Sequence, residues 1–314
     1  MSAATSSRTK KRPAEQHSQF RFLHGPRELL AALSHDRVAL LGSLIVLTVV
    51  LAAVFAPLIA PHDPTSVNIM ERLTPPAWEA RGNPQYLLGT DQLGRDILSR
   101  IIFGSRVSLA IGLGVVAVAG TFGVFIGLVS GFYGGRVDEI LMRITDIQTA
   151  FPGLLLALTI ITIIGPSVRN LIIVLAINGW MVYARITRGI MLSLRELPYM
   201  DAARVIGCRN RRIIFLHALP NLMSPLLTLS TLELARIILA EATLSFLGLG
   251  IQPPEASWGL MIADGHDYIA QAWWLVTLPG IAIAATVFGV NLVASWLRVY
   301  SDPVQRYRQL RTTD

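Results

Sequence analysis

Hydrophobic and polar positions alternate along this chain on the scale of whole segments rather than single residues. Six apolar runs stand out, at Val38–Ala60, Val107–Gly131, Ile147–Gly165, Leu171–Ile190, Leu222–Gly250 and Trp273–Leu297. Each approaches or exceeds the ~20 residues a helix needs to cross a hydrocarbon core of about 30 Å. A chain crossing lipid must satisfy its own backbone hydrogen bonds, so these runs predict helices. The fold class expected is an all-α integral membrane protein with six transmembrane helices over residues 38–297.

The polar segments between the runs have their own patterns. Residues 1–25 are polar and predict a cytoplasmic tail, too long in polar residues for a cleavable signal peptide. In Pro26–Asp36, Leu29, Leu30 and Leu33 share one helical face. That reads as an amphipathic elbow helix at 26–37 on the membrane surface, or as a simple extension of the first span. The loop 61–106 is rich in Pro and Gly, and its last part is expected to feed the second span as a helix. Residues 191–221, 251–272 and 298–314 complete the polar segments.

Composition agrees with the pattern: 53% of the 314 residues are hydrophobic and 15% charged, against about 25% charged in a soluble domain. The net charge of +7 would suggest nucleic acid in a soluble chain. Here its distribution gives a better account. With both termini in the cytoplasm, 20 of the 27 basic residues fall on that side, six on the other, and Arg236 inside a span. The positive-inside rule therefore places both termini and the segment 191–221 in the cytoplasm, with no nucleic-acid partner implied.

Inside the membrane, Ala119, Gly123, Gly127 and Gly131 recur every four residues on one face, as a helix-packing seam requires. A glycine hinge is the lesser alternative. The fifth span carries Glu233, Arg236 and Glu241. Ionisable groups at that depth face a wet pathway or pair structurally, and the sequence leaves both open. Glu241 is also placed where an outer interface would solvate it. On the outer side, Asp91, Arg95 and Asp96 form a charged cluster, and Glu255, Asp264 and Asp267 lie in a stretch without Lys or Arg. These six are candidates for docking a partner, or for an ion cluster and a solvated loop. Trp258, Trp273 and Trp274 are read as interfacial anchors.

Several chemistries are missing. Lys10 and Lys11 are the only lysines, so no Walker A loop is possible. The six histidines form no HExxH and no close pair, and Cys208 is the only cysteine, which gives no metal centre. No GxSxG is present. These absences weaken an enzyme reading without excluding it, since intramembrane catalysis can use scattered residues, and they suggest no cofactor on this chain.

The segment MDAARVIGCRNRRIIFLHALPN (200–221) is the most informative. Pro198 can open a helix, Gly207 interrupts it, and Asn210–Leu219 forms a second amphipathic piece that Pro220 is expected to stop. Asp201, Ala202, Ala203, Gly207, Leu219 and Pro220 match the spacing of the EAA signature of ABC-importer permeases, with Asp in place of Glu. His217 stands where that signature has Ile, and the resulting H-x-L-P-N resembles the dipeptide/oligopeptide/nickel branch. APLIAPHDP (56–64), LGTDQLGRDILSRIIFGSRVSL (88–109), RITDIQTAFPGLLLAL (143–158) and EATLSFLGLGIQPPEASWG (241–259) resemble the same branch, in its DppC/OppC-type subunit.

The resemblance implies a type I importer permease in the bacterial plasma membrane. It implies a heterodimer with a second, homologous permease and two cytoplasmic ATPase subunits that hold ATP and Mg. An extracytoplasmic binding protein would deliver the solute, a di- or oligopeptide, with nickel or another small solute as the alternative. A stand-alone channel or membrane enzyme is the reading from another class. On this resemblance Asp201, Ala202, Ala203, Gly207, His217, Leu219 and Pro220 belong to a coupling helix that meets the ATPase.

Overall fold

The computed structural model describes Leu33 and residues 36–301. The tails at 1–25 and 302–314 and nearly all of the expected elbow helix at 26–37 lie outside them. The first helix, α1 (Arg37–Val54), begins at its own cap. Asp36 is extended, and its carboxylate accepts from the Val38 and Ala39 amides at 3.0 and 3.2 Å. Two orphan N–H groups are thereby satisfied, and the first span does not run back unbroken into the preceding segment. A short turn of helix, α2 (Ala56–Ile59), follows.

The second span is longer than its apolar run. α3 covers Ile97–Tyr133, 37 residues or about 56 Å. The expected feeder helix and the span are one element, so the loop ends at Asp96, whose side chain caps α3 through the Ser99 amide at 2.9 Å.

The third span departs from expectation. A helix α4 (Gly135–Thr149) and a helix α5 (Gly153–Ile164) meet at 83°. Pro152 denies Phe151 the helical conformation, which breaks the element there. The 12 residues of α5 span only about 18 Å, less than a hydrocarbon core. Ile147 thus belongs to the surface helix α4 rather than to a straight span. From the helix Val168–Leu194, Arg188 fastens α4 through a two-pronged ion pair with Asp138, both contacts at 2.5 Å, and Arg185 does so through Asp146 at 2.8 Å.

The remaining elements are α6 (Val168–Leu194), α7 (Pro198–Val205), α8 (Asn210–Phe246), α9 (Trp258–His266) and α10 (Trp274–Ser301). Among the described residues, α1, α3, α6, α8 and α10 are long and apolar enough to cross a membrane, and the bent pair α4–α5 makes a sixth crossing only where the two helices count as one broken span.

Packing explains the glycine seam. A Cβ on Gly123 would come within 2.2 Å of the Trp180 carbonyl oxygen. One on Gly127 would meet Ala184 O at 2.5 Å, and one on Gly131 would meet Met191 Cβ at 2.7 Å. The seam thus holds α3 against α6 inside this chain. A second close approach, which the sequence analysis missed, sets Gly42 of α1 against Leu292 and Gly289 of α10. Along α1, Leu41, Leu44, Leu47 and Val54 stay exposed, as a lipid-facing wall requires.

Candidate functional site

Between α6 and α8 the chain makes a small unit that projects from the bundle. Pro198 sits in the first turn of α7, where a missing N–H costs nothing. Met200 and Ala203 turn inward and are buried. Asp201 and Ala202 are exposed, and so are Val205 and Ile206, at 86% and 77%. Of the two alanines, only Ala202 faces outward. Asp201 and Arg204 pair across one turn at 2.9 Å, and the Arg204 guanidinium lies 6.0 Å from the centre of the Phe132 ring.

Gly207 ends α7 with φ +79°. Cys208 N bonds Ala203 O and Gly207 N bonds Arg204 O, both at 3.0 Å. This is a Schellman turn, and its left-handed residue is best served by glycine. No atom lies within 4 Å of a Cβ built there, so backbone conformation rather than close contact requires the glycine.

Pro220 does not stop the second piece, contrary to expectation. Ile213–Ala218 is wound as π-helix, with the Leu219 amide reaching back to Ile214 O. The wider turn shifts the register, so that Pro220 falls in the first turn of resumed α-helix and removes no needed donor. Ile213 and Ile214 are buried while Leu216 is exposed, so the apolar residues of this piece do not share one face. His217 is half-buried, its Nδ1 3.2 Å from Arg212 O. The Asn221 amide donates to His217 O at 2.6 Å and stands 3.5 Å from the Tyr199 hydroxyl. The H-x-L-P-N residues therefore stitch α7 to the base of α8.

The charged residues of α8 separate. The Glu233 side chain is 8% exposed and accepts from Arg236 at 2.9 Å, while that of Arg236 is 70% exposed. Glu241 is fully buried, not solvated at an interface. It accepts from Ser108 of α3 at 3.1 Å and from Ser245 at 2.7 Å.

At the far end of the bundle, Asp91, Arg95 and Asp96 are buried. Arg95 Nε donates to Asp91 at 2.6 Å, and Arg100 stands 3.6 Å from the same carboxylate. Arg95 and Arg100 also reach Asp264 of α9, at 3.5 and 3.9 Å. Burial pushes the Asp264 carboxyl up, against the pull of Arg100 and Arg95. These contacts fit the ion-cluster reading of Asp91, Arg95 and Asp96 and leave the three no exposed face for docking. Glu255 and Asp267 are exposed. Glu255 lines an open cleft of about 620 Å³ with Pro57, His62, Phe103 and Arg106.

Two of the three tryptophans expected as interfacial anchors are core residues instead. Trp258 and Trp274 are buried, and their indole N–H groups donate to Ile101 O at 2.9 Å and Thr90 O at 3.1 Å. Both face the protein because a buried carbonyl is within reach of each N–H. Trp273 is exposed and donates to Glu79 at 2.9 Å.

The arrangement defines a polytopic helical permease with a projecting surface unit at one end. Residues 123–307 match the model of the binding-protein-dependent transport system inner membrane component, and residues 27–76 match the N-terminal TM domain of oligopeptide transport permease C. The chain belongs to this family of importer permeases. It is 43% identical over 277 residues to the di/tripeptide transport system permease protein DppC of Pseudomonas aeruginosa, covering 88% of this chain and 91% of that one. It is 37% identical over 271 residues to the oligopeptide transport system permease protein OppC of Bacillus subtilis, covering 86% and 87%. Among solved structures, the MetNI methionine ABC transporter in inward-facing conformations matches with a TM-score of 0.50 and 19% identity, over 65% of this chain and 96% of that one. That likeness is one of fold.

Proposed function

We propose that this chain is one half of the translocation path of an ATP-driven peptide importer, and that α7 with its Gly207 turn is the element on which the motor acts. The observation that carries the reading is the exposed set Asp201, Ala202, Val205 and Ile206, borne on a helix anchored through Met200 and Ala203. Large apolar side chains projecting beside a charged pair suit a docked protein surface better than water. The positive-inside rule supports placing this end, with both termini, in the cytoplasm.

A homologous second permease would complete the path, and two ATPase subunits holding ATP and Mg would supply the work. ATPase closure would push α7, and the push would pass through Asn221 and Tyr199 to α8. A binding protein would deliver the solute to the opposite, extracytoplasmic end, where Glu255 and Asp267 are open to contact it. Lipid would cover the rest of the belt. The names of the relatives favour di- and oligopeptides over nickel as the solute.

Purification of the tagged chain from its native membrane tests this reading. Recovery of a second permease and two ATPases, with uptake that requires ATP, is the expected result. Transport or catalysis by the chain alone would overturn it. Identification of the ligand held by the cognate binding protein then sets the length of peptide carried.

A further inference from the structure

We infer that Arg236 contacts the C-terminal carboxylate of the peptide as it crosses; the inference rests on the peptide-permease reading above. Arg236 lies sixteen residues past Pro220 and ten before Phe246. At about 1.5 Å per residue that is about 24 Å from one end of the α-helical stretch and about 15 Å from the other. With the two ends of that stretch at the two membrane faces, the guanidinium falls near mid-membrane. Its side chain is nevertheless 70% exposed, whereas its neighbour Glu233 is turned inward.

A charge at this depth does not face lipid tails stably; it faces a wet cavity or another protein group. The guanidinium is also incompletely used. Nη1 donates to Glu233 at 2.9 Å. The Nε and Nη2 donors find no acceptor among the described residues. Donors left on a planar fork match a carboxylate, which takes two parallel N–H bonds.

Each linear peptide offers one such group whatever its side chains, so the contact suits a carrier of varied sequences. Glu233 gives the contact a second property. It fixes the fork from behind and offsets its charge, so an arriving carboxylate is held weakly enough to leave again, as transit requires. An acidic residue of a second permease would be the competing occupant. It predicts a defect in assembly rather than in passage.

The test uses the complete transporter in proteoliposomes with its binding protein and radiolabelled dialanine. Three variants are compared: Arg236→Gln, Arg236→Lys and the double Glu233→Gln/Arg236→Gln. Arg236→Gln should lower uptake on the order of tenfold, with assembly of the complex unchanged. Arg236→Lys should retain part of the uptake. The double variant, which leaves no unpaired charge, should stay as low as the single one. Restoration of uptake in the double variant would make the pair purely structural and overturn the inference. Loss of the second permease from the Arg236→Gln complex would assign the contact to that subunit and overturn it equally, as would unchanged uptake. Failure of the unaltered complex to carry any of a series of di- to pentapeptides would instead remove the peptide reading itself.

Discussion

The α7 end and the α9 end of this bundle solve the same problem, closing off helix termini, in opposite ways. At the α9 end, Asp91, Arg95, Arg100 and Asp264 are knitted into a buried network, and Trp258 and Trp274 tie α9 and α10 to α3 and the loop before it. The charges there are consumed internally. At the α7 end, Asp201 and Arg204 form an exposed pair, and Val205 and Ile206 stand in solvent. The charged network of one end is complete in itself, with only Glu255 and Asp267 left open beside it, while the other end leaves its charged pair and its apolar side chains on the surface. The difference teaches where to look for a partner: bonds that end inside the chain hold it together, and groups left open are available to another protein.

Breaking the buried network should have the largest effect. Asp91→Ala leaves two buried guanidiniums with only the more distant Asp264 as a carboxylate partner and is expected to cost about 3 kcal/mol, as loss of one partner of a buried pair does. Thermal unfolding of the detergent-solubilised chain measures this, and an unchanged midpoint would mean the cluster is not structural. The glycine seam comes next. Gly127→Val forces a side chain against Ala184 and Thr187 and should cost about 1–3 kcal/mol. Proteolysis of membranes would report the separation of α3 from α6.

Gly207→Ala meets no atom but must hold a positive φ, so about 1–2 kcal/mol of local strain is expected. Insertion should be intact and uptake reduced, a split that distinguishes a turn residue from a packing residue. The pH response of the α9 end should be smaller still. Burial raises the Asp264 carboxyl above its ordinary value of 3.8. Its contribution to stability is then present in full below 3.8 and lost as pH rises through the raised value. Asp264→Asn should flatten that part of a stability–pH profile. A profile identical to that of the unaltered chain would assign the dependence elsewhere.

Much of this comparison was written in the sequence, but unevenly. Five of the six apolar runs matched spanning helices because lipid leaves a chain few options, the third being broken at a sharp bend, and the four-residue glycine spacing matched the α3–α6 seam. The match from Asp201 to Pro220 located the projecting unit. The bend at Phe151–Pro152 was also visible in principle, since a proline inside an apolar run disfavours helix in the residue before it.

Two features were not legible. A π-turn ahead of Pro220 depends on how Ile213 and Ile214 bury themselves, so the proline alone wrongly predicted a stop. For Asp91, Arg95 and Asp96 the sequence left an ion cluster and a docking face both open, because Arg100 and Asp264, which complete the network around Asp91 and Arg95, come together only when α3 and α9 pack. Aspartates on an outer loop read alike in sequence. Burial separates Asp91 from the exposed Asp267.

The account turns on the α7 end acting as the point where ATP-driven force enters, and uptake by Asp201→Arg tests that most directly. The Asp201 carboxylate is on the surface, 64% exposed, and among the described residues pairs with Arg204 alone, so its replacement should leave folding, insertion and complex formation nearly unchanged. The account predicts peptide uptake in reconstituted vesicles reduced to background, with ATP hydrolysis by the partner subunits no longer stimulated by loaded binding protein. Uptake at the level of the unaltered transporter would contradict it.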